Sequence, residues 1–177
     1  MTTLKVPVSV DDHIQGPENA PITLVEYGDY QCSFCGQAYY VIKELQDHFG
    51  DKLRFVFRNF PLTEIHPLAK VAAETAEFSG RHGHFWEMHD LIYENQELLS
   101  VPLLIQLTEG LGLSSKELEY EIERETLYAK IQKDFIGGVR SGVNGTPTFF
   151  INEQRYNGAY GFDDMVDALE SVLVSRR

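Results

Sequence analysis

The sequence predicts an α/β protein in which a sheet is interrupted by a run of helices, at a length that suits one domain by the usual prior of roughly 150 residues. Three observations predict it. The chain opens on a strand–helix–strand pattern, continues through consecutive helical patterns without a strand among them, and closes on two strands and a helix.

Residues 21–30, PITLVEYGDY, are a short apolar run rich in β-branched side chains and bounded by Pro and Gly, which reads as a buried strand. Residues 33–48 follow as a helix, with Ala38, Val41, Ile42 and Leu45 at helical spacing. Residues 52–61, KLRFVFRNFP, alternate apolar and basic side chains as a second strand closed by Pro61. A β-α-β order is the mark of a parallel pair with a helical crossover. In residues 66–80, Pro67 suits a first helical turn and Gly80 a stop. Residues 84–95 are a second helical stretch, and 100–112 a third with Ser100 as N-cap and Pro102 in its first turn. Residues 114–135 read as one long charged helix. Its apolar residues fall on two opposite faces, Leu118, Ile122, Ala129 and Ile136 against Leu127, Ile131 and Phe135, which predicts a helix lying between the helical segment and the sheet. GTPTFFIN (145–152) returns to strand, QRYNGAY (154–160) is its hairpin partner, and an amphipathic helix carrying Met165, Val166, Leu169, Val172 and Leu173 closes the chain. Residues 1–61 and 136–177 are thus expected to form the core and 62–135 a helical insertion.

The composition, 43% hydrophobic and 12% aromatic, supports a core without staples. A formal net charge of −12 disfavours nucleic acid and anionic lipid as partners. No stretch approaches the roughly 20 apolar residues of a membrane span. The opening MTTLKVPVSVDDHIQG lacks the apolar core and small-residue cleavage site of a secretory signal. As it stands the sequence therefore predicts a cytoplasmic protein, or an exported one if a leader has been removed.

Both cysteines of the chain lie in EYGDYQCSFCGQAYY, at Cys32 and Cys35. Three readings compete. As a staple, a four-residue loop stabilises by only about 2 kcal/mol, and a reducing compartment would open it. As half of a zinc site, the pair needs two further ligands, for which His66, His82, His84 and His89 are the candidates. There is no second Cys-x-x-Cys and no His-Glu-x-x-His pattern to supply them. As a working dithiol, Cys32 sits where a strand gives way to a helix, so its sulfur meets unsatisfied N–H groups and the positive end of the helix dipole. That setting favours the thiolate, the form that attacks. Cys35, one turn later and less exposed, can then resolve a mixed disulfide formed at Cys32. The dithiol explains the most.

Two further positions bear on it. Glu26 shares a strand face with Ile22 and Leu24, where a carboxylate is costly unless its pKa rises or it is paired. It is either a proton relay for Cys35 or a glutamate reaching solvent from a strand end. Pro147 opens an otherwise apolar strand, a place tolerated only at an edge, a start or a bulge. A cis Thr146–Pro147 bond there would present backbone to an incoming peptide.

EYGDYQCSFC, FRNFPL, HFWEMHDLIY, GVNGTPTFFIN and YNGAYGFDDM together resemble the DsbA-like branch of the thioredoxin-fold thiol–disulfide oxidoreductases, over most of the chain from about Gly16. The resemblance implies a thioredoxin fold with an inserted helical domain, a cis Thr146–Pro147 bond facing the dithiol, and Glu26 in the place of the family's buried acid. It also implies Cys32 as nucleophile, Cys35 as resolver and Thr146–Pro147 aligning substrate backbone. Protein or peptide thiols and disulfides would be the substrates, with glutathione or a redox protein as a further partner, and no metal, nucleotide or flavin is required. The dipeptide Ser33-Phe34 departs from the proline and histidine of the strongly oxidising members. With no imidazolium, thiolate stabilisation should fall mainly to the helix terminus and its N–H groups, giving a moderately depressed Cys32 pKa. Phe34 is expected to offer apolar surface at the rim for substrate, or else to pack inward; Phe85 and Trp86 are expected to pack. HGH (82–84) reads as a solvated turn between helices. Two rivals stand: a kappa-type glutathione transferase or isomerase, which would use serine in the place of Cys32, and a binding module holding a peptide or a metal.

Overall fold

A computed structural model describes residues 2–175. Five strands, β1 (His13–Gln15), β2 (Ile22–Gly28), β3 (Leu53–Asn59), β4 (Thr148–Ile151) and β5 (Gln154–Tyr156), form one sheet in the order β1-β3-β2-β4-β5. β2 and β3 are parallel and all other pairs antiparallel. The parallel pair needs a long crossover, which is α1 (Ser33–Phe49). Five helices fill the chain between β3 and β4: α2 (Ala69–Arg81), α3 (Phe85–Glu94), α4 (Val101–Gly110), α5 (Ser115–Glu123) and α6 (Tyr128–Arg140). α7 (Phe162–Val174) completes the α/β fold. No helix among the described residues is long and apolar enough to cross a membrane.

The central strand β2 is covered on both sides, and its period of two divides the core. Ile22 and Leu24 face α1, α3 and α7 in a cluster with Phe55, Phe57, Ile42, Leu45, Met88, Met165 and both cysteines. Val25 and Tyr27 face the other way, onto Val56, Phe60, Phe150 and Leu4. Each such side chain, fully buried, contributes about 1.5–3 kcal/mol. α1 reaches this core because Cys35, Ala38, Tyr39, Ile42, Leu45 and Phe49 recur on one face and are buried. The β4–β5 hairpin closes on two residues, Asn152 and Glu153, both at positive φ (44° and 71°), the turn that matches the twist of the flanking strands.

Three differences from the sequence-based expectation have clear causes. Strand β1 was not expected: three residues, HIQ, are too short for a period, and the strand exists by pairing on β3 and by stacking His13 on Phe85 at a centroid distance of 3.4 Å. α2 starts at Ala69, two residues after Pro67, because the preceding loop spends its N–H groups on the neighbouring turn, as described below. The single helix over 114–135 is two. Leu118 and Leu127 lie nine residues apart, on opposite sides of a straight helix, yet both pack on Phe78. A break at Arg124–Leu127, with Glu125 at φ 54°, makes that possible; the left-handed residue costs about 1 kcal/mol. The turn also lets α6 send Ile131 into the first cluster and Phe135 toward the second, while Ala129 and Ile136, expected to be covered, are exposed. α6 does bridge the layers, packing on both α2 and β3. Gly138 allows the close approach: a methyl there would meet the Phe60 ring at 2.8 Å.

Candidate active site

The cysteines sit at the carboxyl end of β2, where the strand turns into α1. Cys32 is the N-cap of α1, with φ −71° and ψ 120°, and its carbonyl accepts the Gly36 N–H at 3.1 Å. Both thiols are free. Cys32 is 5% exposed and Cys35 wholly buried, so the two sulfurs differ in access. The Cys32 sulfur points across to the loop before β4, 3.6 Å from the Thr146 carbonyl oxygen, which accepts from it when the thiol is protonated. The Thr146–Pro147 peptide bond is cis. Thr146 stands just outside the β4 ladder, and its buried hydroxyl has no other partner.

The surroundings pull the two thiols apart. The Cys32 pKa falls from 9.0 to about 5, first through a hydrogen bond from the Cys35 thiol, then through the Thr146 side chain and the backbone N–H groups of Cys35 and Phe34, all against the cost of burial. The sequence led us to expect the helix terminus as the main source; the larger donor is the companion thiol. The Cys35 pKa rises well above its ordinary value, through burial, its bond to Cys32 and the charge of Glu26. In this arrangement Cys32 holds the charge and Cys35 the proton.

Glu26 is 2% exposed and does not reach solvent from the strand end. Register places it between Phe57 on β3 and Phe149 on β4. Its Oε1 has no hydrogen-bond partner, and burial, followed by the charge on Cys32, raises its pKa from 4.5 to about 8. Phe34, on the first turn of α1, is 56% exposed beside Cys32. Tyr160 lies near both sulfurs: its pKa rises through burial first and then through their charge.

Phe85 is buried against Phe57, and Trp86 packs beside it, against Phe55 and His89. The histidines weighed as metal ligands are engaged elsewhere. His66 donates from Nδ1 to Asp29 at 2.7 Å, His84 pairs with Glu87 at 2.9 Å, His82 lies 3.7 Å from Glu117, and buried His89 meets the Tyr30 hydroxyl at 2.9 Å. Among the described residues, no three His, Cys, Asp or Glu side chains gather as a cation cage.

Two residues the sequence did not flag hold the turn. Asp29 accepts the N–H groups of Gln31 and Leu62 at 2.8 and 2.9 Å; an Asp three residues before a helix N-cap at a tight turn was a readable signal. Gln96, from the α3–α4 connection, donates its amide to the carbonyls of Tyr30 and Cys32, both at 2.8 Å, and nothing in the sequence marks it. Its Oε1 fills the space over Gly36, only 2.1 Å from where a methyl would stand. Gly36→Ala is therefore expected to dislodge Gln96. Two hydrogen bonds of about 1 kcal/mol each are lost against about 1 kcal/mol of helix propensity gained, a net loss of about 1 kcal/mol in urea unfolding. In a Gln96→Ala background the same substitution should instead stabilise by about 1 kcal/mol. An unchanged sign would show that Gln96 does not occupy that space.

The family model described as Thioredoxin matches residues 8–171. The chain belongs to the thioredoxin family. Among solved structures, this family member superposes on BdbD from Bacillus subtilis with TM-score 0.82 at 24% identity, covering 92% of this chain and 93% of that one. It superposes on alpha-DsbA1 of Wolbachia pipientis with TM-score 0.81 at 19% identity, covering 98% of each. These likenesses establish the DsbA-like form of the fold, a thioredoxin core with a helical insertion. In sequence, the chain is 42% identical over 175 residues to a Na(+)/H(+) antiporter NhaA 1 of Salinispora arenicola and 39% identical over the same length to an NhaA 3 of Salinispora tropica. It covers 98% of itself but 27% of each, so it spans about a quarter of the length of these relatives.

Proposed function

We propose that this thioredoxin-family protein is a thiol–disulfide oxidoreductase that exchanges a Cys32–Cys35 dithiol or disulfide with protein or peptide substrates. One observation carries the reading: the two sulfurs, one helical turn apart, have opposite proton affinities and unequal access. In the reducing direction the Cys32 thiolate attacks one sulfur of a substrate disulfide. A Cys32–substrate disulfide forms and the other substrate sulfur leaves as thiolate. Cys35 then yields its proton, attacks the Cys32 sulfur and releases the second substrate thiolate, leaving Cys32 and Cys35 joined. The same steps reversed oxidise a substrate dithiol. Glu26, protonated or ionised near neutrality, is the group suited to take up and return the Cys35 proton. Phe34 offers apolar contact beside the reacting sulfur, and Thr146 and Pro147, outside the β4 ladder, suit pairing with an extended substrate backbone.

The test is capture. With Cys35→Ser, the mixed disulfide at Cys32 has no resolver and should accumulate as reductant-sensitive adducts with client proteins in cells. Cys32→Ser should give none. An empty trap overturns the proposal, and glutathione-dependent turnover that survives Cys35→Ser would replace it with a kappa-type chemistry.

A further inference from the structure

The main chain of Asp29 touches both cysteines. Its carbonyl accepts the Cys32 N–H at 3.1 Å, and its own N–H donates to the Cys35 sulfur. Its side chain is entirely buried, and every partner that side chain has is a donor: Gln31 N–H on Oδ1 at 2.8 Å, Leu62 N–H on Oδ2 at 2.9 Å, and the His66 ring on Oδ2 at 2.7 Å. His66 is the only side chain among them. It comes from the loop between β3 and α2, the entry to the helical insertion, and is itself partly exposed. The same loop makes a second attachment, from the Leu68 N–H to Gln31 Oε1 at 2.6 Å.

We infer that His66 is a positioning residue for the dithiol: through Asp29 it pins the turn from which Cys32 enters the helix. The inference rests on the thiol-exchange reading above. An exposed His–Asp pair would be worth little, but this carboxylate is wholly buried. Without the ring, Oδ2 keeps a single N–H, and a buried carboxylate short of a donor draws in water or moves. Movement of Asp29 shifts the peptide groups on both its sides, and those are the groups that hold Cys32 and Cys35 in register with each other. The N–H groups that meet the Cys32 sulfur, on Phe34 and Cys35, then lose their aim.

The expected result for His66→Ala is a midpoint of Cys32 alkylation about one pH unit higher than in the wild type, a tenfold loss of acidity. Because the disulfide form has no thiolate to lose, the equilibrium in a buffer of reduced and oxidised glutathione should shift about tenfold toward the Cys32–Cys35 disulfide. His66→Asn, whose amide N–H can stand where the ring Nδ1–H stands, should keep both readouts near the wild type. A His66→Ala protein with a lowered unfolding midpoint but wild-type alkylation and glutathione behaviour would show the pair to be structural only and overturn the inference. Failure of the wild type itself to exchange with glutathione would fall on the proposed function instead, so the two are separable.

Discussion

Alkylation of Cys32 should reach half its limiting rate near pH 5, where an ordinary cysteine does so near pH 8.5. The midpoint is the decisive readout rather than the speed. At pH 6 such a thiol is about 90% thiolate and an ordinary one about 0.3%, a gain of about 300-fold. Nucleophilicity falls with pKa at a slope of about 0.4–0.5, which takes back roughly 40-fold of it. Because the Cys35 thiol is the largest cause of the low value and the Thr146 side chain the next favourable one, Cys35→Ala should raise the midpoint more than Thr146→Val does. Cys35→Ser keeps a donor and should raise it least. Rates measured on the reduced protein across pH 4–10 check all four; a wild-type midpoint near that of a free peptide would remove the chemical basis of the site.

Glu26→Gln should stabilise the reduced protein by about 3 kcal/mol at pH 7. The sign follows from linkage. Below pH 4.5 the carboxyl is protonated folded and unfolded alike, and costs nothing through ionisation. Between 4.5 and about 8 the unfolded chain ionises while the folded one holds its proton, so stability relative to the acid form is lost at up to about 1.4 kcal/mol per unit. Above about 8 the loss is complete. The gap between variant and wild type in urea unfolding should thus open as pH rises from 4 and level off above 8. It should be smaller in the disulfide form, where the Cys32 charge that adds to the shift is absent. The same substitution removes the proton acceptor for Cys35 and should slow resolution of a preformed mixed disulfide by about 100-fold. A pH-independent gap would show that Glu26 titrates normally and has no special role.

On the proposed exchange chemistry a mixed disulfide needs both traits. The charge at Cys32 would make it attack and also make it a good leaving group, and the buried acid beneath Cys35 would supply the means to expel it. The 3 kcal/mol or so invested in Glu26 is the kind of local cost found where function rather than stability selects a residue.

Much of this was legible in the residues alone. The alternation of Ile22, Leu24 and Glu26 against Val25 and Tyr27 placed the acid on the face of Ile22 and Leu24, because a period of two fixes which side chains share a face; the structure shows that this is the face the cysteines join. The spacing of Cys32 and Cys35 at a strand-to-helix junction named the candidate reacting pair, and Ser100 with Pro102 marked the start of α4, where the Ser100 hydroxyl accepts the Leu103 N–H. These features are written by neighbours in sequence, at helical or strand period.

Contacts that join distant segments were not legible. The break at Glu125 followed from Phe78, which must receive Leu118 and Leu127 together. Strand β1 exists only because β3 offers it an edge. Gln96 and His66 reach the dithiol turn across 64 and 37 positions of sequence, from an insertion whose helical pattern says nothing about what its loops touch. The sequence by itself singled out the two cysteines as the candidate pair and the strand-to-helix junction that carries them, since both are local consequences of side-chain period and helix polarity. How strongly the first sulfur is ionised, and what holds it there, was decided by the tertiary structure, because the Thr146 side chain, the carbonyls under Gln96 and the carboxylate under His66 meet the turn only after the chain has folded around it.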